Sequence, residues 1–552
     1  MHLSRRSFLG AAAATVAGSA AASVAATWSS PASAASPAGD VVGKISVGYQ
    51  GWFACIGDGA PINAWWHWSN NWSQPPSPSN NNIKAWPDMT EYTKTYQTAY
   101  ANLNSGAPAT LFSSYDQSSV NTHFLWMQQN GCDTAALQRF NPNTSEGPTR
   151  DAVAARVNTA AQAYGRKFYI MYDATGWTNM ATEMPADWTS KMSAYTSSSA
   201  YAHQNGKPVV CIWGFGFNDA NHPWDAATCL NVINFFKSQG CYVIGGVPRE
   251  WRTGTGGSRA GYSGVYHAFN MLSPWMVGAI GTAADSDNAY TTYTVPDQAD
   301  CNANGIDYQP CVLPGDVSSG TQRAHGDFMW RQFYNMCRAG VQGIYISMFD
   351  EYGEGNQIAK TAATQAGVPA GSGLLSLDQD GTACSSDYYL RLTNDGGRML
   401  KGQIALTATR PTPPVVTGGT TTVISFRAMA NNLIVTADNA GASPLIANRT
   451  AISTWESFDL INNSNGTISL RAHANNLIVT ADNAGASPLI ANRTAIGTWE
   501  QFTRINNSNG TISLRAMANN LIVTADNAGA SPLIANRTAI GTWEQFTLIT
   551  DS

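Results

Sequence analysis

Between residues 349 and 355 the chain reads Phe-Asp-Glu-Tyr-Gly-Glu-Gly, so three carboxylates, Asp350, Glu351 and Glu354, fall within five positions. Like charges this close repel one another and lose solvation if buried, which makes a purely structural role awkward. Cleavage of a glycosidic bond asks for such a grouping. One carboxyl group stays protonated for the leaving oxygen, and a second is ionised as base or nucleophile. Glu351 and Glu354, at i and i+3 with Gly353 permitting a bend, are the candidate catalytic pair. A calcium-binding or solvent-facing acidic loop is the alternative.

Polar and aromatic residues recur where apolar runs end. The first run closes on Tyr49-Gln50-Gly51-Trp52 and is followed by Trp65-Trp66-His67-Trp68; later ones close on Gln138-Arg139, Tyr172-Asp173, Trp213, Glu250-Trp251 and Trp275. Such recurrence reads as a cleft in which rings stack on sugars and polar groups hold hydroxyls. The substrate-binding candidates are Asp350, Tyr49, Trp52, His67, Arg139, Asp173, Trp213, Trp251 and Trp275, with Asp173 and Arg139 contacting hydroxyls.

The elements that must position these residues lie in 41–408. β-rich runs at 46–53, 110–115, 135–140, 168–173, 208–217, 242–247, 272–277, 308–313 and 344–349 alternate with helix-compatible stretches such as 151–164, 226–238 and 327–339. Alternation of this kind implies an α/β fold with a parallel sheet and crossover helices. Its length suits a (β/α)8 TIM barrel, whose active sites sit past the C-terminal strand ends. Nine runs exceed eight by one, so one is a side strand. An open doubly wound sheet is the alternative, although no Gly-rich phosphate loop follows a strand.

With Phe-Asp-Glu-Tyr-Gly-Glu-Gly, Gly48-Tyr49-Gln50-Gly51-Trp52 and Trp66-His67-Trp68, the segment from about 44 to 408 resembles glycoside hydrolase family 99 and its family 71-like (xylosidase/arabinosidase-type) relatives. The resemblance implies that Glu351 is a base acting through the substrate's 2-hydroxyl and Glu354 the general acid. The family pattern at that segment is nearer Asn-Glu-Trp-His-Glu-Gly. Asp350, Tyr352 and Gly353 depart from it, so the reaction class carries over more safely than the sugar.

The C-terminal third repeats. The string Asn-Leu-Ile-Val-Thr-Ala-Asp-Asn-Ala-Gly-Ala-Ser-Pro-Leu-Ile begins at Asn432, Asn476 and Asn520, a period of 44 residues. Four short β-rich runs per copy, with turns at Asn465-Gly466 and Asn509-Gly510, give the twelve strands of an all-β three-repeat β-trefoil over 424–552. A propeller of three blades would not close. The repeats resemble the fascin-like and ricin-type trefoils appended to glycosidases, and three lobes would give avidity on a polysaccharide. Asp438, Asn439, Asn448 and Arg449, with their repeats, are the ligand candidates there; Trp455, Trp499 and Trp543 read as trefoil core. A Pro/Thr/Gly linker over 409–423 precedes it.

Residues 1–40 read as a leader: Ser4-Arg5-Arg6-Ser7-Phe8-Leu9 is a twin-arginine pattern, followed by an Ala-rich stretch and Ala32-Ser33-Ala34. The expectation is a protein exported by the twin-arginine route, secreted and monomeric. Charged residues make up 12% of the chain and the net charge is −5, which argues against nucleic-acid or anionic-membrane partners. Nine cysteines permit disulfides, Cys301–Cys311 being the best pair, with Cys132 and Cys211 as buried thiols. Asp300-Cys301-Asn302-Ala303-Asn304-Gly305 starts like a calcium loop, but Cys311 stands where the bidentate Glu belongs. No metal or cofactor is therefore expected. A polysaccharide or glycan is the expected partner, and its hydrolysis the expected reaction. A non-catalytic lectin-like protein and a polysaccharide lyase are the rivals.

Overall fold

The computed structural model describes residues 36–319, 322–415, 422–462, 467–493 and 496–550. They form two compact units that divide after Val415. The twin-arginine leader, Ala32-Ser33-Ala34 and the Asn465-Gly466 turn lie outside the described residues.

The first unit holds eight parallel strands: β1 (Ile45–Tyr49), β2 (Thr134–Arg139), β3 (Lys167–Asp173), β4 (Lys207–Trp213), β5 (Tyr242–Val247), β6 (Met271–Pro274), β7 in two pieces (Asp307–Tyr308 and Cys311–Val312) and β8 (Ile344–Ile346). Each pairs with its neighbours in chain order, and β1 also pairs with β8 through Ile45↔Ile344 and Val47↔Ile346. The break at Gln309-Pro310 lets the first piece of β7 follow β6 and the second follow β8, which closes the ring. The result is the expected (β/α)8 barrel. The ninth run is the side strand: Thr110–Leu111 pairs with Tyr96–Gln97 outside the ring.

Strands of such a barrel are covered on both faces, and β2 accordingly has no exposed residue. The helices between them are α1 (Gln117–Gln129), α2 (Gly147–Ala163), α3 (Met180–Ser190), α4 (Ala226–Ser238), α5 (Ser263–Tyr266), α6 (Ala283–Ala289), α7 (Val295–Asn304) and α8 (Asp327–Ala339), and α9 (Tyr388–Leu400) follows β8. Asp225 caps α4 by accepting from Thr228 N at 2.7 Å, and Gly305 and Gly340 end α7 and α8 in the left-handed conformation. Gly246 leaves the space that Trp213 fills: a Cβ there would lie 2.3 Å from the indole.

Four expectations change here. Residues 300–304 belong to α7 rather than to a loop, because Pro296 starts a helix that Gly305 terminates. Cys301 on that helix and Cys311 on β7 are both buried and are not joined by a disulfide. The fold also begins before residue 41: Ser36 N donates to Asp307 Oδ1 at 2.9 Å and Gln204 Nε2 to the Pro37 carbonyl at 2.8 Å. The start of the linker, finally, is docked: Thr412 donates to Asp395 at 2.7 Å and Ser385 N to the Pro414 carbonyl at 2.9 Å.

The second unit contains twelve strands, β9 (Thr422–Ala428), β10 (Ile434–Ala437), β11 (Leu445–Arg449), β12 (Phe458–Asn462), β13 (Ile468–Ala472), β14 (Ile478–Ala481), β15 (Leu489–Arg493), β16 (Phe502–Asn506), β17 (Ile512–Ala516), β18 (Ile522–Ala525), β19 (Leu533–Arg537) and β20 (Phe546–Thr550). Six of them, β9, β12, β13, β16, β17 and β20, form a closed antiparallel ring, and the other six make three hairpins. That is the strand arrangement expected of a three-repeat β-trefoil. The repeats interlock cyclically: Asn475, Asn519 and Asn431 fill the space where a Cβ on Gly441, Gly485 and Gly529 would stand, each amide nitrogen 2.2 Å from it. Among the described residues of both units, no helix is long and apolar enough to cross a membrane.

Candidate active site

The turn that carries the carboxylates is fixed from three sides. Phe349 N donates to the Gly48 carbonyl at 2.7 Å, which continues the β8–β1 pairing to the end of the barrel. Asp350, fully buried, then accepts from Gln50 N at 2.7 Å and Gly51 N at 2.9 Å. On the far side Arg323, also buried, donates to the carbonyls of Gly315, Gly355 and Gln357 at 3.1, 2.9 and 2.8 Å. Tyr352 closes the third side, its hydroxyl on the Lys360 carbonyl and its own carbonyl receiving Lys84 N, both at 2.9 Å.

Glu351 is buried within this frame. Its Oε2 accepts from Gln50 Nε2 at 2.8 Å, and its Oε1 from Gly353 N at 3.0 Å and Glu354 N at 3.3 Å. Three donors thus hold the carboxylate as an acceptor. Glu354, on the same turn, is half-buried and projects from the backbone that Glu351 pins. Gly353 leaves room for this: a Cβ there would sit 2.9 Å from Glu351 Oε1 and 3.3 Å from the Asn82 carbonyl. The nearest atom is the tip of a flexible side chain. Gly353→Ala should therefore keep the thermal midpoint within a few degrees while displacing the carboxylate, with a loss of turnover of about tenfold to a hundredfold. Steady-state kinetics beside a melting curve checks both halves.

Beside the turn lies an aromatic wall. The Trp52 ring stacks on His67 at 3.7 Å between centroids and 14° between planes, with Phe140 beyond it at 5.6 Å and Trp72 6.0 Å from His67. A second aromatic group caps β4 and β6, where Trp213 and Trp275 meet edge to face at 5.5 Å; β4 stands opposite β8 in the ring. Asp173 is in register with Trp213, and its Oδ1 accepts Thr175 N at 2.9 Å.

The structure thus groups Glu351, Glu354, Trp52 and His67 at one side of the barrel mouth, and sets Asp173, Trp213 and Trp275, all three buried, at the strand ends of the other side. Four candidates stand behind the mouth instead. Asp350 is occupied by backbone, and burial pushes its carboxyl up to about 6, against the pull of the Gln50 and Gly51 N–H groups. Tyr49 is fully buried and joined to His123 Nδ1 at 2.9 Å, whose Nε2 meets the Tyr92 hydroxyl at 2.7 Å. Burial holds that imidazole neutral, its pKa lowered to about 3. Arg139 is spent on Asp187, at 2.6 and 2.5 Å, and on Asp151 at 2.7 Å. Trp251 is buried with its indole N–H on Asp297 at 3.0 Å.

Sequence reasoning missed Gln50 and Arg323 as site residues. Gln50 was visible inside the Tyr49–Trp52 motif; Arg323 touches only carbonyls, which leave no trace in the side-chain pattern. Among the described residues no group of three or more His, Cys, Asp or Glu side chains is placed to hold a metal ion.

No family model and no curated protein matches this sequence. Among solved structures, the GH99 endo-alpha-mannosidase from Bacteroides thetaiotaomicron is similar at 14% identity and a TM-score of 0.48, covering 66% of this chain and 98% of its own. A designed 3-fold symmetric protein, ThreeFoil, is similar at 18% identity and a TM-score of 0.22, covering 23% of this chain and 97% of its own. An exo-beta-1,3-galactanase from Clostridium thermocellum follows at 11% identity and a TM-score of 0.23, over 26% of this chain and 33% of its own.

Proposed function

We propose that the chain is a glycoside hydrolase acting on an extracellular polysaccharide or glycan, with Glu351 and Glu354 as the catalytic pair and the all-β unit holding the protein on the polymer. The observation that carries this reading is the turn itself. One glutamate is buried under three donors, and a second, more open one rises from the same backbone at the C-terminal mouth of the barrel. Two carboxyl groups in different surroundings are what general acid and base need. Glu351, held as an acceptor, is the base; Glu354, nearer solvent, is the acid. Trp52 with His67, and Trp213 with Trp275, form the walls on which sugar rings stack, and Asp173 orients a hydroxyl. Export by the twin-arginine route places this activity outside the cell.

The test is reducing-end release from α-mannans, α-glucans, arabinans and xylans by the mature protein, with Glu351→Gln and Glu354→Gln in parallel. Release by wild type alone supports the assignment. Unsaturated, ultraviolet-absorbing products would convert it to a lyase, and equal release by all three proteins would refute the catalytic pair.

A further inference from the structure

The second unit exposes three tryptophans at equivalent places: Trp455, Trp499 and Trp543 are 37%, 38% and 38% exposed. The core role expected for them is therefore wrong. The core is filled by Phe426, Phe458, Phe502 and Phe546 with their aliphatic neighbours. Each indole still leaves more than a third of its surface open to solvent, an aromatic area that the fold itself does not cover.

Each sits on a braced turn. The glutamate that follows it is buried and turns back to its own loop: Glu456 accepts from Ser453 N at 2.9 Å, Glu500 from Gly497 N at 2.8 Å and Glu544 from Gly541 N at 2.7 Å. The same glutamates lie 3.9 Å from Arg449, Arg493 and Arg537. Those arginines pair with Asp438, Asp482 and Asp526 at 2.6, 2.7 and 2.7 Å. A half-exposed ion pair, with donors and acceptors already oriented, thus stands in the same network as the glutamate that follows each tryptophan. Positions near the tryptophan vary between copies, as Ser453, Gly497 and Gly541 and as Ser457, Gln501 and Gln545, yet the Trp-Glu pair and the arginine are present in all three.

Charge then narrows the ligand. Residues 422–550 contain seven arginines, seven carboxylates and no lysine, a balance that favours neither polyanion nor polycation. A rigid aromatic face beside oriented hydrogen-bonding groups fits a ring with an apolar face and hydroxyls at its edge. We infer that Trp455, Trp499 and Trp543 are three equivalent platforms for the sugar rings of a neutral polysaccharide, with the paired arginine and aspartate beside each one reading hydroxyls. The inference rests on the reading of this unit as the polymer-holding part. It does not depend on what the barrel catalyses.

The experiment uses the full chain carrying Glu351→Gln and Glu354→Gln, so that no polymer is consumed. Its migration is followed in native gels containing α-mannan, α-glucan, arabinan or xylan, with polygalacturonate and heparin as charged comparators. At least one neutral polymer should retard the protein. A single Trp→Ala substitution should weaken apparent affinity about threefold to tenfold, and Trp455→Ala/Trp499→Ala/Trp543→Ala together by about a hundredfold or more, as loss of avidity requires. The Trp→Tyr triple variant, which keeps an aromatic face, should recover most of the retardation. No retardation by any neutral polymer, an unaffected Trp→Ala triple variant, or retardation by the charged polymers alone would overturn the inference. Failure of the hydrolase reading alone would leave the retardation, and its dependence on tryptophan, unchanged.

Discussion

Replacing Glu351 by Gln should lower kcat on every polymer the protein cleaves by about 10²- to 10⁴-fold, the usual worth of a positioned acid or base. The substitution is nearly isosteric, but its amide oxygen can accept from only one of the two donor sets that converge on Glu351, Gln50 Nε2 on one side and the N–H groups of Gly353 and Glu354 on the other, and its NH2 then confronts the donors that remain. Glu354→Gln should be as damaging on a polysaccharide, whose leaving oxygen needs a proton. The two variants should separate on an aryl glycoside with an acidic phenol as leaving group. That phenol departs without protonation, so Glu354→Gln should recover to within about tenfold of wild type, while Glu351→Gln should stay low. Steady-state kinetics on both substrates reads this directly. Recovery of Glu351→Gln instead would exchange the two roles, and recovery of neither would show that the turn binds substrate without transferring protons.

The separation between what the sequence disclosed and what it did not follows from which physical property each feature expresses in its side chains. Barrel strands are buried on both faces, so they appear as continuous apolar runs, and eight of the nine runs lie on the ring. The exception, 110–115, is apolar for another reason: Leu111 and Phe112 are buried beneath the loops that follow β1, while the strand itself pairs locally with Tyr96–Gln97. The 44-residue period survives in the fold because each copy supplies the same four strands. Glu351 and Glu354 were legible because three carboxylates in five residues need an explanation. What a strand end cannot disclose is which of its side chains faces the mouth. Tyr49 and Trp52 are three residues apart, yet one is sealed against His123 and the other stacks beside the turn. Arg139 and Asp173 both looked like sugar-binding groups. Only the fold shows that Asp187, from α3, has claimed the arginine.

The exposed tryptophans show the opposite error. A tryptophan recurring in every copy of a β repeat resembles a core residue by type and period alone. The position that enters the core is three residues later, at Phe458, Phe502 and Phe546, and Trp455 precedes it on a turn that Glu456 braces. Cys301 and Cys311 mislead in the same way, since ten residues of separation do not disclose that one thiol lies on a helix and the other on a strand, each buried and not joined by a disulfide.

Asp350→Asn should change stability in a way that depends on pH, and the sign is set by where the carboxyl is buried. Its pKa stands at about 6 in the fold, against roughly 3.9 in an unfolded chain. A folded value above the unfolded one means that the native state holds the proton more tightly. The group's favourable contribution is then fully present below about pH 4 and is lost as pH rises through about 6. An asparagine does not titrate. The free energy of unfolding of Asp350→Asn, measured relative to wild type in urea, should rise by on the order of 3 kcal/mol between pH 4 and pH 7 and stay level above that. Activity should move the other way. The ionised Asp350 accepts from both Gln50 N and Gly51 N, and Gln50 in turn holds Glu351. An amide can satisfy only one of those two N–H groups, so the frame under the catalytic turn loosens and kcat falls, by about tenfold to a hundredfold. A buried charge that lowers stability at neutral pH would thus be kept for the geometry it imposes on its neighbour. A stability difference that does not vary with pH would mean that Asp350 does not titrate in this window. An unchanged kcat would mean that Gln50 is held by something other than the carboxylate behind it.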